Sequence, residues 1–471
     1  MSVSPALPIE PASRGQKPHG RAPGADAAPL CAAASAAIGE TESLGATLHK
    51  LIAQLYPTCR SITGDGVRWT LAQLQELLPL EIHEVPTGTA AFDWTVPKEW
   101  NIRDAYIKDA AGRRVVDFKA SNLHVVNYSV PVHTTLSLDE LRPHLFTLPE
   151  QPDWIPYRTS YYREDWGFCL SHNQLLSLEQ GNYEVCVDST LAPGSLTYGE
   201  YYLAGDTADE VLISCHVCHP SLCNDNLSGI AVSTYLARHL AAQPNRRYSY
   251  RFLFIPGTIG AITWLSRSED KLANVRHGFV LSLLGDAGPS TYKKSRRGNT
   301  TIDRAFEHVL RHSGEPYKIQ EFEPLGYDER QFCSPGINLP MGCLMRTPHG
   351  QFPEYHTSAD NLQLVRPESL EDSWNKCAAV VDLLEGDRRY RNTNPKCEPQ
   401  LGRRGLYRAM GGQTGQASLE KALLWVLNFS DTEHSLLDIA DRAQLPFSVV
   451  RKAAELLLDH GLLELVEQPK A

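Results

Sequence analysis

The spacing of apolar residues changes character along the chain. From Leu48 to Leu80 it is helical: Leu48, Leu51, Ile52 and Leu55, then Leu71, Leu74, Leu77 and Leu78. Around Asp93 to Thr197 short β-branched and aromatic runs alternate with turn residues, as in RRVVDF, NLHVVNYSV, NYEVCV and GEYYLAG. That texture predicts a small β-rich domain, sandwich-like or jelly-roll-like. From Asp209 strand and helix alternate. Val211–Cys215, Arg251–Ile255, Gly278–Leu284 and Gly342–Met345 are short apolar runs, and Leu227–Ala241 has helical spacing between the first two. Continuous apolar strands separated by helices predict a mostly parallel sheet covered on both faces.

The two ends of the chain read differently. Residues 1–45 are rich in Ala, Pro and Gly and poor in aromatics, a disordered composition. They hold no apolar segment behind a basic start, so no secretory leader is expected. Residues 391–417 read as a linker. Beyond it the pattern predicts helices near Leu419–Phe429, Leu436–Ala443 and Ser448–His460, then a short strand in LLELVEQ. Three helices with a tight turn before the third, then a β wing, predict a winged helix over 418–471. The α/β domain is expected over 46–92 and 198–390, with the β-rich insert at 93–197.

Composition narrows the function. With 45 Lys+Arg against 55 Asp+Glu, the net charge of -10 argues against a general nucleic-acid binder. The winged-helix segment carries nine acids against five bases, although Arg451-Lys452 lies on its third helix. A protein-contact or homo-oligomer role is expected for it rather than phosphate binding. No apolar run is long enough to cross a membrane. The 11 cysteines, several inside strand-like runs, suggest a reduced, cytoplasmic setting.

The candidate chemistry lies at strand ends, where open α/β sheets bind ligands. CHVCHPSLCNDNLSG, residues 215–229, begins where a strand ends and finishes where a helix begins. Asp286 follows the third apolar run and His356 lies beyond the fourth. His216, Asp225, Asp286 and His356 can therefore converge on one crevice, and two imidazoles with two carboxylates suit Zn²⁺. His219 is an extra ligand or an orienting donor. A closed zinc knuckle would need a second Cys-x-x-Cys, which the chain lacks. The basic loop Tyr292–Gly298 offers Arg296, and Arg330 is a second cation, for an anionic group on an amino-acid-like substrate.

The motifs HPSLCNDNLSG, YKKSRRGN, DERQFCSPG and PEYHTSADN carry a resemblance. The run from about Asp209 to Leu364 resembles the zinc-dependent exopeptidase fold of bacterial leucyl aminopeptidases, glutamate carboxypeptidase and glutaminyl cyclase. Over Leu48 to Glu467 the chain resembles a bacterial aminopeptidase-like family with a β-domain insert and a C-terminal winged helix. The resemblance implies an α/β fold with a mostly parallel, zinc-exopeptidase-like sheet. It implies His216 as first zinc histidine, Asp225 as bridging aspartate, Asp286 as a further ligand and His356 as the second metal's histidine. Asp328, in Tyr327-Asp328-Glu329-Arg330, matches a Ser-Asp-His element near the site; Asn226 and Tyr355 complete the expected substrate-binding set.

The departures are equally specific. Where the exopeptidases carry a Glu-Glu pair, for general base and ligand, this chain has Gly257-Thr258. Where they carry an Asp two residues after the first His, it has Cys218. One zinc or two, a substitute base in Glu354 or Glu329, or a site that binds without turnover all follow. The expected reaction is hydrolysis of an amide next to a free amino group, in a peptide, an aminoacyl conjugate or a biosynthetic intermediate. The rival expectation is a non-catalytic ligand-binding or regulatory protein.

Overall fold

The structure is a computed structural model and describes residues 42–406 and 414–466. Its centre is an eight-stranded sheet. In chain order the strands are β1 (Glu81–Pro86), β2 (Ser195–Leu203), β3 (Glu210–His216) and β4 (Ser249–Ile255), then β5 (Val275–Leu281), β6 (Ser290–Lys293), β7 (Tyr317–Gln320) and β8 (Met341–Met345). Their spatial order is β1-β2-β4-β3-β5-β8-β6-β7. The four inner strands β4, β3, β5 and β8 run parallel. Every residue of β3, β4 and β8 is buried. This is why those strands read as unbroken apolar runs: both faces are covered, so no polar alternation survives.

Helices Leu44–Leu55, Ser228–Ala241 and Thr301–His312 gather around the long helix Pro367–Gly386. Asp65–Gln75 and Ile259–Arg267 pack against β2. The two sets of helically spaced apolar residues between Leu48 and Leu80 belong to the helices Leu44–Leu55 and Asp65–Gln75, with Leu77 and Leu78 just beyond the second. The register of the sheet brings the C-terminal ends of β3, β4, β5 and β8 together along one edge. No helix among the described residues is long and apolar enough to cross a membrane.

The insert is β-rich, as its texture indicates. Its main sheet has four antiparallel strands, ordered Arg114–Asp117, Glu99–Lys108, Asn182–Ala192 and Val132–Ser137. Two short two-stranded pairs lie outside it. Two full-sized facing sheets, as a sandwich or jelly roll would have, are not found among the described residues. The last β run of the 93–197 segment continues into β2 and belongs to the central sheet.

The three expected C-terminal helices are present at Thr414–Phe429, Leu436–Ala443 and Phe447–Asp459. The second is capped by Ser435, whose hydroxyl accepts from the Asp438 amide while Asp438 answers to the Ser435 amide. The wing has three strands, and its middle one, Arg389–Asn392, comes from upstream of these helices. It overlaps the start of the segment read as a linker, while residues 407–413 of that segment and 1–41 of the tail lie outside the described residues.

This module is fastened to the α/β domain. Asp441 accepts from His308 at 2.8 Å and Arg304 at 3.0 Å. Arg451 donates to both oxygens of Asp382 at 2.9 Å. The Phe447 amide donates to His308 Nε2 at 3.0 Å. The third helix therefore spends its arginine on its own chain.

A buried ionic group ties β2, β3 and β4 together. Arg251 is 6% exposed, Glu200 6% and Glu210 3%. Arg251 donates to Glu210 at 2.8 and 2.9 Å and pairs with Glu200, which also accepts from Trp264 Nε1 at 2.9 Å. Removing one member strands a buried charge, which costs about 3–5 kcal/mol. Arg251→Met is expected to lower unfolding free energy by roughly 3 kcal/mol or more in a urea titration. A loss under about 0.5 kcal/mol, as at an ordinary surface site, would contradict this.

Candidate active site

The site is built on the loop between β3 and helix Ser228–Ala241. Three of its backbone amides point at one carboxylate. Asp360 accepts from Cys223 N at 3.1 Å, Asn224 N at 2.6 Å and Asp225 N at 2.9 Å. Burial pushes the Asp360 carboxyl up to about 7 despite these donors. Asp360 therefore shapes the loop that presents Asp225.

Asp225 is fully buried at the centre of an imidazole cluster. His216 Nε2 lies 2.8 Å from its Oδ1, and His356 Nε2 lies 3.0 Å from its Oδ2. His219 Nε2 stands 3.7 Å from Oδ2. Burial alone would raise the Asp225 carboxyl. The imidazoles of His219, His216 and His356 outweigh that and hold it well below the usual carboxylate range. Burial pushes His219 well below the ordinary imidazole range. One ligand atom each from His216, His219 and Asp225 lies within 4.8 Å of the others. Three protein donors of this kind, with a fourth position left open, are the donor set of a catalytic zinc. The residues present therefore fit one such ion.

The supports of this cluster come from several parts of the chain. Asn226 Oδ1 accepts from Gly229 N at 3.2 Å and Leu283 N at 3.3 Å, and its Nδ2 donates to Leu281 O at 3.0 Å. That fixes its amide so that the NH₂ faces His216 Nδ1 at 3.3 Å and orients the ring. Arg60, 1% exposed, donates to the carbonyls of His219 at 2.8 Å and Pro220 at 3.0 Å. The insert supplies the rest. Tyr157 N donates to His356 O at 2.8 Å, and the Tyr157 ring sits edge-on to His219 and His356, 5.3 and 5.1 Å away. The insert thus reaches back over the sheet and holds His356, whose φ of 56° is unusual for a non-glycine residue.

The other expected site residues are placed as follows. Asp286 is 4% exposed and its oxygens are taken by Gly288 N (2.7 Å), Thr347 Oγ1 (2.6 Å) and Asn224 Nδ2 (3.0 Å). It stands outside the group that could hold a metal. Glu329 is fully buried and paired with Lys293. Asp328 is fully buried with neither oxygen hydrogen-bonded among the described residues, and burial first, then the Glu329 charge, pushes its carboxyl well above the usual range. Glu354 is half-buried two residues before His356, with no ion pair to the cluster. Tyr355 stacks on His356 with centroids 4.0 Å apart. Arg296 is exposed and donates to Asn338, and Arg330 is half-buried; neither contacts the cluster.

Beside His356 a cavity of about 270 Å³ is lined by Tyr157, Arg158, Tyr355, His356 and Thr357, among others. The Arg158 guanidinium lies 4.3 Å from the Phe146 ring centroid and has no carboxylate partner among the described residues. Sequence reasoning passed over Arg60, Tyr157, Arg158, Tyr327 and Asp360. Tyr327 and Asp360 stand inside motifs already singled out, YDER and YHTSAD. Nothing local marks Arg60 or the insert residues, because their roles depend on long-range packing.

The fold and this buried cluster define an aminopeptidase-like α/β protein with a C-terminal winged helix. A family model described as "Domain of unknown function (DUF4910)" matches residues 49–387, and a winged helix-turn-helix model matches 388–465. The chain belongs to that family of unknown function. A Clostridium acetobutylicum protein, named provisionally for polysaccharide biosynthesis and an aminopeptidase-like domain, is 52% identical over 91% of this chain and 98% of its own length. A crystal structure from the same species, provisionally termed a peptidase, is 52% identical with a TM-score of 0.86, over 90% of this chain and 96% of that one. The zinc aminopeptidase BSAP from Bacillus subtilis matches at 13% identity and TM-score 0.53, over 72% of this chain and 95% of that one. A peptidase M28 precursor from Shewanella amazonensis matches at 15% and 0.51, over 74% and 94%. The last two likenesses are of fold.

The role of Asp360 is directly measurable. Asp360→Ala leaves the buried amides of Asn224 and Asp225 without an acceptor, each costing about 1–3 kcal/mol, while Cys223 N keeps the backbone carbonyl of residue 360 at 3.1 Å. Amide hydrogen exchange at Asn224 and Asp225 is expected to accelerate by about tenfold or more. Unchanged protection there would contradict the assigned role.

Proposed function

We propose that this chain is a zinc-dependent hydrolase of aminopeptidase type, acting on an amide next to a free amino group. One observation carries the reading: Asp225, fully buried, is ringed by His216, His219 and His356 at the C-terminal edge of the parallel sheet. A bound zinc would polarise the scissile carbonyl and make a water acidic enough to attack near neutral pH. The chain's own residues do the rest. His216, His219 and Asp225 would hold the ion. His356, hydrogen-bonded to Asp225 and open on one side to the cavity, faces the substrate. Glu354 is the better of the two candidate bases, because Glu329 is committed to Lys293.

The cavity suggests the substrate class. Arg158 lies at its wall without a carboxylate partner among the described residues, so an anionic group on the substrate would meet it there. An aminoacyl or peptide-like conjugate with a carboxylate or phosphate fits both ends of the site. The polysaccharide-biosynthesis name of the Clostridium relative supports a conjugate rather than a plain peptide. A second reading, a ligand-binding protein without turnover, draws on Gly257 and on the engagement of Asp286 elsewhere. The winged helix would then serve protein contact or self-association, since its third helix already spends Arg451 on Asp382.

Two outcomes are expected. Protein purified without chelator should carry stoichiometric zinc by elemental analysis, lost in His216→Ala; a chain that takes up none on titration contradicts the reading. With an aminoacyl-amide substrate bearing an anionic group, Glu354→Gln should lower kcat by about 10²–10⁴. Arg158→Ala should instead raise KM about tenfold with kcat nearly unchanged. Turnover insensitive to both changes would contradict the assigned roles.

A further inference from the structure

Tyr327 occupies the ground beside the cluster where another metal ligand could have stood. Its ring lies against His216, with centroids 3.8 Å apart at 35°, and near His219 at 6.0 Å. Its hydroxyl is 3.3 Å from Cys218 Sγ. Cys218 in turn accepts from the Gly257 amide at 3.3 Å. Gly257 follows β4, at the same sheet edge as His216. A Cβ built on it would overlap Cε1, Cζ and the hydroxyl oxygen of Tyr327. No side chain fits at 257 while the tyrosine is there.

Two other carboxylates nearby are engaged. Asp286 is held by Gly288, Thr347 and Asn224, and Glu329 by Lys293. His349 stacks parallel to Tyr327 at 5.9 Å, with its Nε2 3.3 Å from Ser282 Oγ. Among the described residues, the only carboxylate inside the cluster is Asp225. A second divalent ion would need at least one more anionic ligand, and the space for it holds an aromatic ring.

We infer that Tyr327, with Gly257 and Cys218, restricts this centre to a single metal ion and sets the plane of His216. The inference rests on the metal-binding reading above. Tyr327 is a positioning residue: it acts through His216 and through the volume it fills.

The test is zinc stoichiometry of the full-length chain, by titration with zinc alone and elemental analysis after desalting. The wild type is expected to bind one equivalent. Tyr327→Phe keeps the ring and should also bind one. Gly257→Glu combined with Tyr327→Ala clears the space and adds a carboxylate, and should bind two. Two equivalents in the wild type would overturn the inference while leaving the metal-binding reading intact; none in the wild type would overturn that reading itself. A folded double variant that stays at one equivalent also overturns the inference. If the double variant does not fold, a stability cycle decides. Gly257→Ala should strongly destabilise the wild type and have little effect in a Tyr327→Ala background. Equal effects in the two backgrounds would show that the ring does not fill the space.

Discussion

A carboxylate without solvent exposure must be paired, and Asp225 is the group around which this molecule is arranged. Its oxygens are shared among three imidazoles, and its backbone amide is held by a second buried acid, Asp360. Burying an ionised carboxylate is costly unless its partners are fixed in place. Much of the surrounding architecture supplies that fixing. β3 delivers His216, the following turn delivers His219, and Arg60 clamps that turn by its carbonyls. Asn226 orients the His216 ring, and the insert holds His356 from outside.

The insert and the winged helix serve this arrangement differently. Through Tyr157 and its backbone pairing with the His356 loop, the insert becomes one wall of the cavity. Arg158, exposed at that wall, has no carboxylate partner among the described residues. The winged helix is fastened far from the cluster, by Asp441 to His308 and Arg304 and by Arg451 to Asp382. It is acidic overall, and its helices pack on the α/β domain.

Much of this was legible in the sequence, for identifiable reasons. The inner strands β3, β4, β5 and β8 are covered on both faces, so burial writes itself as continuous apolar runs. The helices after residue 418 carry the right spacing, caps and turn. His216, Asp225 and His356 stand at strand ends or in distinctive motifs, and the structure brings them together. Other features depend on contacts between distant segments, which periodicity does not encode. The middle strand of the wing, Arg389–Asn392, pairs with partners more than 30 residues away. Asp286 sits at a strand end as expected, but three neighbours engage its oxygens. Gly257 reads in sequence as a missing side chain; in the structure the vacated volume belongs to Tyr327.

The central claim is that the imidazoles around Asp225 form a zinc centre. Anomalous X-ray diffraction at the zinc edge, on crystals of the zinc-loaded full chain, tests it most directly. The account predicts an anomalous peak among the side chains of His216, His219 and Asp225. No peak among these residues, or zinc bound only at surface sites, would contradict it.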